Sequence, residues 1–187
     1  YWSIRFTLAP NFSSSNLIRL GLLGPKGTFS EEAGHVHLKR RKIKGRIKYY
    51  PTIKDCFTAL NKYEVEEIIV PLINSTIGYI LETLNNLNTH KILDEINIPI
   101  NLYLVGNETK KIYTKKEAAE QCRLRLSKLE SKIIYEDSTA SAAINARTNN
   151  QSAIVSERCA DMYNLNILER NIQDNKNNYT KFIVLVL

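Results

Sequence analysis

The apolar run over residues 17–23 is closed by Gly24-Pro25, and a helix start follows within five residues. Proline cannot extend a strand ladder and glycine permits the turn, so the run is a buried strand stopped at its C-terminal end. After Gly27, the segment Thr28-Phe29-Ser30-Glu31-Glu32 offers hydroxyl oxygens to free helix amides. It also sets two acids where the helix dipole favours them, which predicts a helix to residue 38. A strand that hands over to a capped helix in this way is half of a βα unit.

The same grammar recurs along the chain. Residues 47–50 read as a strand, and residues 52–62 as a helix with Ile53, Phe57 and Leu60 on one face. The Ile-Val-rich run over 67–72, met by Pro71 near its end, reads as a buried parallel strand. Leu81, Leu84 and Leu87 fall at helical spacing, and residues 98–105 are extended. Further strands are predicted over 112–114, 133–135, 152–155 and 182–187, with helices over 115–129, 138–147 and 157–163. Alternation of this kind predicts an α/β protein with mostly parallel sheet, helices on both faces and ligands at the C-terminal ends of strands.

Composition narrows the functional class. The hydrophobic share of 43% and charged share of 24% suit a folded globular chain. No stretch approaches the roughly 20 apolar residues of a membrane helix, so no membrane partner is expected. The net charge of +7 gathers in Lys39-Arg40-Arg41-Lys42, Lys44, Arg46 and Lys48. No zinc-finger spacing or aromatic RNA-binding signature accompanies that run, which reads as a solvated helix end rather than a nucleic-acid surface. Cys56, Cys122 and Cys159 lie far apart with no CxxC, so buried thiols in a reducing, cytoplasmic setting are expected, with no metal. His35 and His37 point about 200° apart on a helix and read as surface side chains. Residues 1–20 contain Arg5, Arg19 and four serines but no acid, as a transit peptide does. The expectation preferred over it is a poorly ordered leader over 1–16.

Four separated blocks carry more specific information. They are Gly24-Pro25-Lys26-Gly27-Thr28-Phe29-Ser30, and Val70-Pro71-Leu72-Ile73-Asn74-Ser75-Thr76-Ile77-Gly78-Tyr79-Ile80 with its Leu-rich helix. The third is Ile112-Tyr113-Thr114 with Ala119-Glu120-Gln121-Cys122. The fourth joins Asp137-Ser138-Thr139-Ala140-Ser141-Ala142-Ala143 and Ala153-Ile154-Val155-Ser156 to Asn171-Ile172-Gln173-Asp174-Asn175-Lys176-Asn177-Asn178-Tyr179-Thr180-Lys181-Phe182. In order and spacing these blocks resemble the prephenate dehydratase family over about residues 17–187.

The resemblance implies two α/β lobes with mostly parallel sheets, like a type II periplasmic binding protein. Lobe 1 is expected over about 17–97 plus the C-terminal strand, and lobe 2 over about 98–175. It implies a cofactor-free hydro-lyase that converts prephenate to phenylpyruvate in phenylalanine biosynthesis. Thr180 and Asn74 are then the expected catalytic residues. Thr28, Ser75, Thr114, Gln121, Ser138, Thr139, Ala140, Asn178, Lys181 and Phe182 are the expected substrate-binding residues. Three departures fall inside the motifs: Ile73 stands where the family has a glutamate, Lys181 where it has an arginine, and Lys115-Lys116 where it has His-Pro. A lysine keeps the charge but not the planar fork that grips a carboxylate.

Those departures support a second expectation, a catalytically weakened two-lobed protein that binds an aromatic keto acid or amino acid. A homodimer is the expected assembly. Family members usually carry a C-terminal phenylalanine-sensing ACT domain, and no such feedback is expected of a chain whose last segment is the final catalytic-domain strand.

Overall fold

The computed structural model describes residues 17–187, so the expected leader over 1–16 lies outside the described residues. In chain order the first half comprises β1 (Ile18–Leu23), α1 (Phe29–Arg41), β2 (Gly45–Tyr50), α2 (Ile53–Asn61), β3 (Glu67–Asn74), β4 (Gly78–Tyr79), α3 (Leu81–Asn86) and β5 (Lys91–Pro99). The second half comprises β6 (Tyr103–Gly106), β7 (Lys111–Thr114), α4 (Lys116–Glu120), α5 (Arg123–Leu126), β8 (Lys132–Tyr135), α6 (Thr139–Thr148), β9 (Ser152–Val155), α7 (Glu157–Met162), β10 (Ile167–Glu169) and β11 (Tyr179–Val186).

Two sheets divide these strands. One runs β2-β1-β3-β11-β5 with β4 paired to β3, and the other runs β10-β6-β9-β7-β8. The parallel pairings are β1 with β2 and β3, and β7 with β8 and β9. The antiparallel ones centre on β11, which lies between β3 and β5, and on β6, which lies between β9 and β10. The sheets are therefore mixed rather than mostly parallel: β11 returns antiparallel into the first, where β4 also folds back on β3, and β6 enters the second antiparallel to both its neighbours.

Each sheet is covered on both faces. In β3, Ile68 and Val70 pack with Phe57 and Leu60 of α2, while Ile69 faces Ala33 of α1 together with Leu20 and Leu22. Alternation across the strand makes one run serve two cores. In the second sheet Val155 joins Ala142 and Ala146 of α6, and Ile154 packs with Ala118 and Cys122. Phe29 borders a core cluster in each lobe, and so bridges them.

Two expected elements divide where the chain changes course. The extended stretch over 98–105 splits because Pro99 ends β5 in the first sheet and Tyr103 opens β6 in the second. The helix expected over 115–129 becomes α4 and α5. The amide of Asp174 binds the carbonyl of Gln121, and the Asp174 carboxylate accepts from the amide of Leu124. The two lobe crossings are tied together, with Ile100 N bonded to Asn178 O and Ile172 N to Leu102 O. Gln173 completes the hinge by accepting from Leu102 N and donating to Asn101.

His37 is a correction. The sequence placed it at the surface, yet its side chain is fully buried. Ser30, Ala33, Gly34 and His37 form the inner stripe of α1, so position on the helix overrides the polarity of the ring. Its Nε2 lies 2.6 Å from Oε2 of Glu67, at the start of β3, and the other Glu67 oxygen accepts from Arg41. His35 is exposed, as expected.

Removing the Glu67 carboxylate leaves that buried imidazole without its partner. Glu67→Ala is expected to cost on the order of 2 kcal/mol in urea unfolding. Arg41→Ala, on a side chain that is partly exposed to solvent, should cost less than about 1 kcal/mol. Equal costs would show that the buried histidine does not depend on Glu67.

Candidate active site

The ladder between β3 and β11 forms the floor of a cleft between the lobes. Thr180 stands opposite Asn74, and Lys181 opposite Ile73. Successive side chains leave a strand on opposite faces, so the first pair enters the cleft and the second faces away. Asn74 is buried, and its Nδ2 donates to Thr180 Oγ1 at 2.9 Å. Its Oδ1 accepts from the amides of Thr76 and Ile77 at 2.9 and 3.1 Å, which fixes the orientation of the carboxamide. Thr180 Oγ1 thus receives a hydrogen bond and keeps its own proton to donate.

The cleft has two chambers that share Phe29, Lys115, Thr139 and Thr180. The first, of about 250 Å³, is walled by the turn after β1 and by the start of α6, including Thr28, Ser30, Asp137 and Ser138. The second, of about 190 Å³, is more apolar, with Ile77, Ile100, Leu102 and Ala118 beside Asn74 and Gln121. Gly27, at φ +82, lets the first turn bend back beneath α7, where Cys159 is 3.6 Å from the position a Cβ would take. Ser138 caps α6 by accepting from the amide of Ser141, whose hydroxyl returns to the Ser138 amide. The hydroxyl oxygens of Thr28 and Thr139 are buried without a protein partner. Such groups cost about 1–3 kcal/mol each unless a ligand or water satisfies them.

The expected site residues fall into two sets. Thr28, Ser138, Thr139, Phe182, Asn74, Gln121 and Thr180 line one chamber or both. Ser75, Thr114, Ala140, Asn178 and Lys181 line neither. Ser75 and Asn178 act behind the wall: Ser75 Oγ donates to Asn178 Oδ1, and Asn178 Nδ2 donates to Gln121 Oε1 at 2.6 Å. Thr114 is wholly buried and its hydroxyl donates to the carbonyl of Lys115, while Ala140 packs inside the first turn of α6. Lys181 Nζ is 2.7 Å from Glu95 Oε2 on β5, away from the cleft.

Sequence reasoning did not single out Phe29, Lys115, Asp137 and Ser156 as lining residues. The signal for Lys115 and Ser156 was available, since both follow directly on a strand's C-terminal end. None of the three buried thiols is suited to attack, because burial pushes each up to about 12. Among the described residues no group of three or more His, Cys, Asp or Glu could hold a metal ion, and no helix is long and apolar enough to cross a membrane.

The back of the cleft is held by contacts between lobes. Arg158 of α7 donates to Glu31 of α1 at 3.1 Å, and Ser156 Oγ donates to the carbonyl of Gly27. Glu31 also accepts from Tyr49 at 2.5 Å and from the Gly27 amide at 2.7 Å. Burial on its own would raise the Glu31 carboxyl, but Arg158, Tyr49 and the Gly27 amide outweigh it and hold the group at about 2.

A profile of the prephenate dehydratase family matches residues 20–186. The chain belongs to the prephenate dehydratase family. It is 35% identical over 178 residues to a bifunctional chorismate mutase/prephenate dehydratase of Aquifex aeolicus, covering 90% of this chain and 48% of that protein. To a prephenate dehydratase of Methanocaldococcus jannaschii it is 34% identical, covering 86% of this chain and 62% of that protein. A crystal structure of prephenate dehydratase from Arthrobacter aurescens, in complex with L-Phe, superposes with a TM-score of 0.80 at 26% identity. That match covers 90% of this chain and 60% of the other, so this chain spans about half to two thirds of its relatives' length. The architecture is the two-lobed α/β fold of these dehydratases, like that of type II periplasmic binding proteins.

Because the Glu31 carboxyl is held below its ordinary 4.5, its contacts add stability that is fully present above that pH and is lost as the pH falls towards 2. Glu31→Gln is therefore expected to lower stability near neutrality and to flatten the loss in that acid window, as read by urea unfolding at stepped pH. An unchanged pH profile in Glu31→Gln would contradict this role.

Proposed function

We propose that this chain is the catalytic unit of a prephenate dehydratase. The observation that carries the reading is the Asn74–Thr180 hydrogen bond on the cleft floor, with its carboxamide locked by the Thr76 and Ile77 amides. Prephenate bears two carboxylates and a ring hydroxyl. In the reaction the bond from ring to carboxylate breaks, its electron pair enters the ring, and the ring C–O bond breaks with its pair leaving on oxygen. One proton completes the departing water, carbon dioxide is released, and phenylpyruvate remains.

Aromatisation provides the driving force, so the protein's task is to hold the dianion and favour departure of the hydroxyl. An isolated threonine hydroxyl is a feeble acid. A hydrogen bond received from Asn74 draws charge from Oγ1 and strengthens the bond that Thr180 donates to the leaving oxygen. The chamber that holds Asn74 is largely apolar, which strengthens that interaction further. The Ser30 and Ser138 side chains and the start of α6 offer donors for a carboxylate in the adjoining chamber.

The two departures at 73 and 181 lie on the far face of the ladder, so neither removes a group from the cleft lining. By this register the positions where the family pattern has an acid and an arginine are cross-strand partners. Here Ile73 cannot neutralise Lys181, and Glu95 on β5 does so instead.

Prephenate incubated with the wild-type chain is expected to yield phenylpyruvate, followed by ultraviolet absorbance. Thr180→Ala is expected to lose about 10²- to 10³-fold in kcat while still folding. A folded wild-type chain that leaves prephenate unchanged would overturn the reading.

A further inference from the structure

We infer that Lys115 is a specificity-determining residue that grips the carboxylate prephenate keeps, and not the one it loses. This rests on the dehydratase reading above. Lys115 follows β7 and lines both chambers, and it is the one cationic side chain lining either of them among the described residues. The other candidate cation, Lys181, is turned to Glu95. Its Nζ forms a loose ion pair with Glu117, 3.9 Å away on the wall of the second chamber, and Asp137 lines the first, but no hydrogen bond to either carboxylate ties up its ammonium donors. A doubly charged substrate therefore meets a single cation, at the junction of the two chambers, with the Asp137 and Glu117 carboxylates in the walls on either side.

The chemistry decides which carboxylate that charge serves. As carbon dioxide departs, negative charge drains from the ring carboxylate, so a cation bound there would stabilise the ground state more than the transition state. A cation on the keto-acid carboxylate carries no such penalty, because that charge is unchanged by the reaction. The chamber linings agree. The first chamber is the less apolar of the two and sets Ser30 and Ser138 in its walls with Lys115, where a carboxylate tail would find hydroxyl donors. The ring and its leaving carboxylate then occupy the apolar chamber beside Asn74 and Thr180, where poor solvation favours loss of charge.

The product retains the same carboxylate, which gives a test that does not depend on turnover. Calorimetric binding of phenylpyruvate should weaken about tenfold to a hundredfold in Lys115→Gln, the range of a lost charge-assisted hydrogen bond. KM for prephenate should rise by a similar factor with kcat nearly unchanged, and Lys115→Arg should recover most of the affinity. Phenylpyruvate binding that is absent in wild type, or equal in wild type and Lys115→Gln, would overturn the inference. So would a rise in kcat alongside KM with product affinity intact, since that places the lysine on the leaving carboxylate. Lys115-dependent phenylpyruvate binding in a wild-type chain that does not turn over prephenate would reject the dehydratase reading while keeping Lys115 as the residue that binds a keto-acid carboxylate.

Discussion

The antiparallel register between β3 and β11 is the constraint on which the site depends. It joins residues 106 positions apart, Asn74 and Thr180, at hydrogen-bond distance in a buried setting. A slip of one residue would turn Thr180 away and bring Lys181 into the cleft. The core prevents that slip, because Ile183 and Leu185 of β11 pack with Ile68 and Val70 of β3, while Phe182 and Val184 pack on the other face with Ile69. The ladder shifts register between Lys181 and Phe182, beside Pro71, which has no amide to donate. Thr180 and Phe182 nevertheless both line the first chamber.

The same strand makes the cleft a joint property of both lobes. The chain leaves the first sheet after β5, builds the second, and returns as β11 through the loop that holds Gln173 and Asn178. Those two side chains are buried and bonded to the outgoing crossing and to Gln121. The segment over residues 171–178 thus braces the hinge, and Thr180 lies just beyond it. Glu31 and Arg158 hold the opposite side, so the cleft walls are fixed by hydrogen bonds at both ends.

Much of this was legible in the sequence, for identifiable reasons. Strands such as 152–155 and helices such as 52–62 declare themselves because burial on one or both faces imposes a period. The Asn74–Thr180 pair was legible through motif resemblance, whereas pattern alone offers a β-branched strand residue and an ordinary turn residue. The strand starts at Tyr179, earlier than hydrophobicity suggests, because Thr180 faces the site and Lys181 pairs with Glu95, which leaves no apolar run at its start. The break between α4 and α5 was hidden because it is made by Asp174, some 50 residues away. His37 was misread because its partners, Glu67 and Arg41, come together only in the fold. The departures at 73 and 181 looked like damage to a site until the register showed them as one cross-strand pair facing away from it.

Whether Asn74 and Thr180 act as one unit is read from a double-mutant cycle. The kcat values of Asn74→Ala, Thr180→Ala and the double variant would be compared with wild type under saturating prephenate. If Asn74 acts through the Thr180 hydroxyl, the double variant should be about as slow as Thr180→Ala alone, since groups that work as a unit are strongly non-additive. Losses that multiply would show two independent contributions and contradict their joint action.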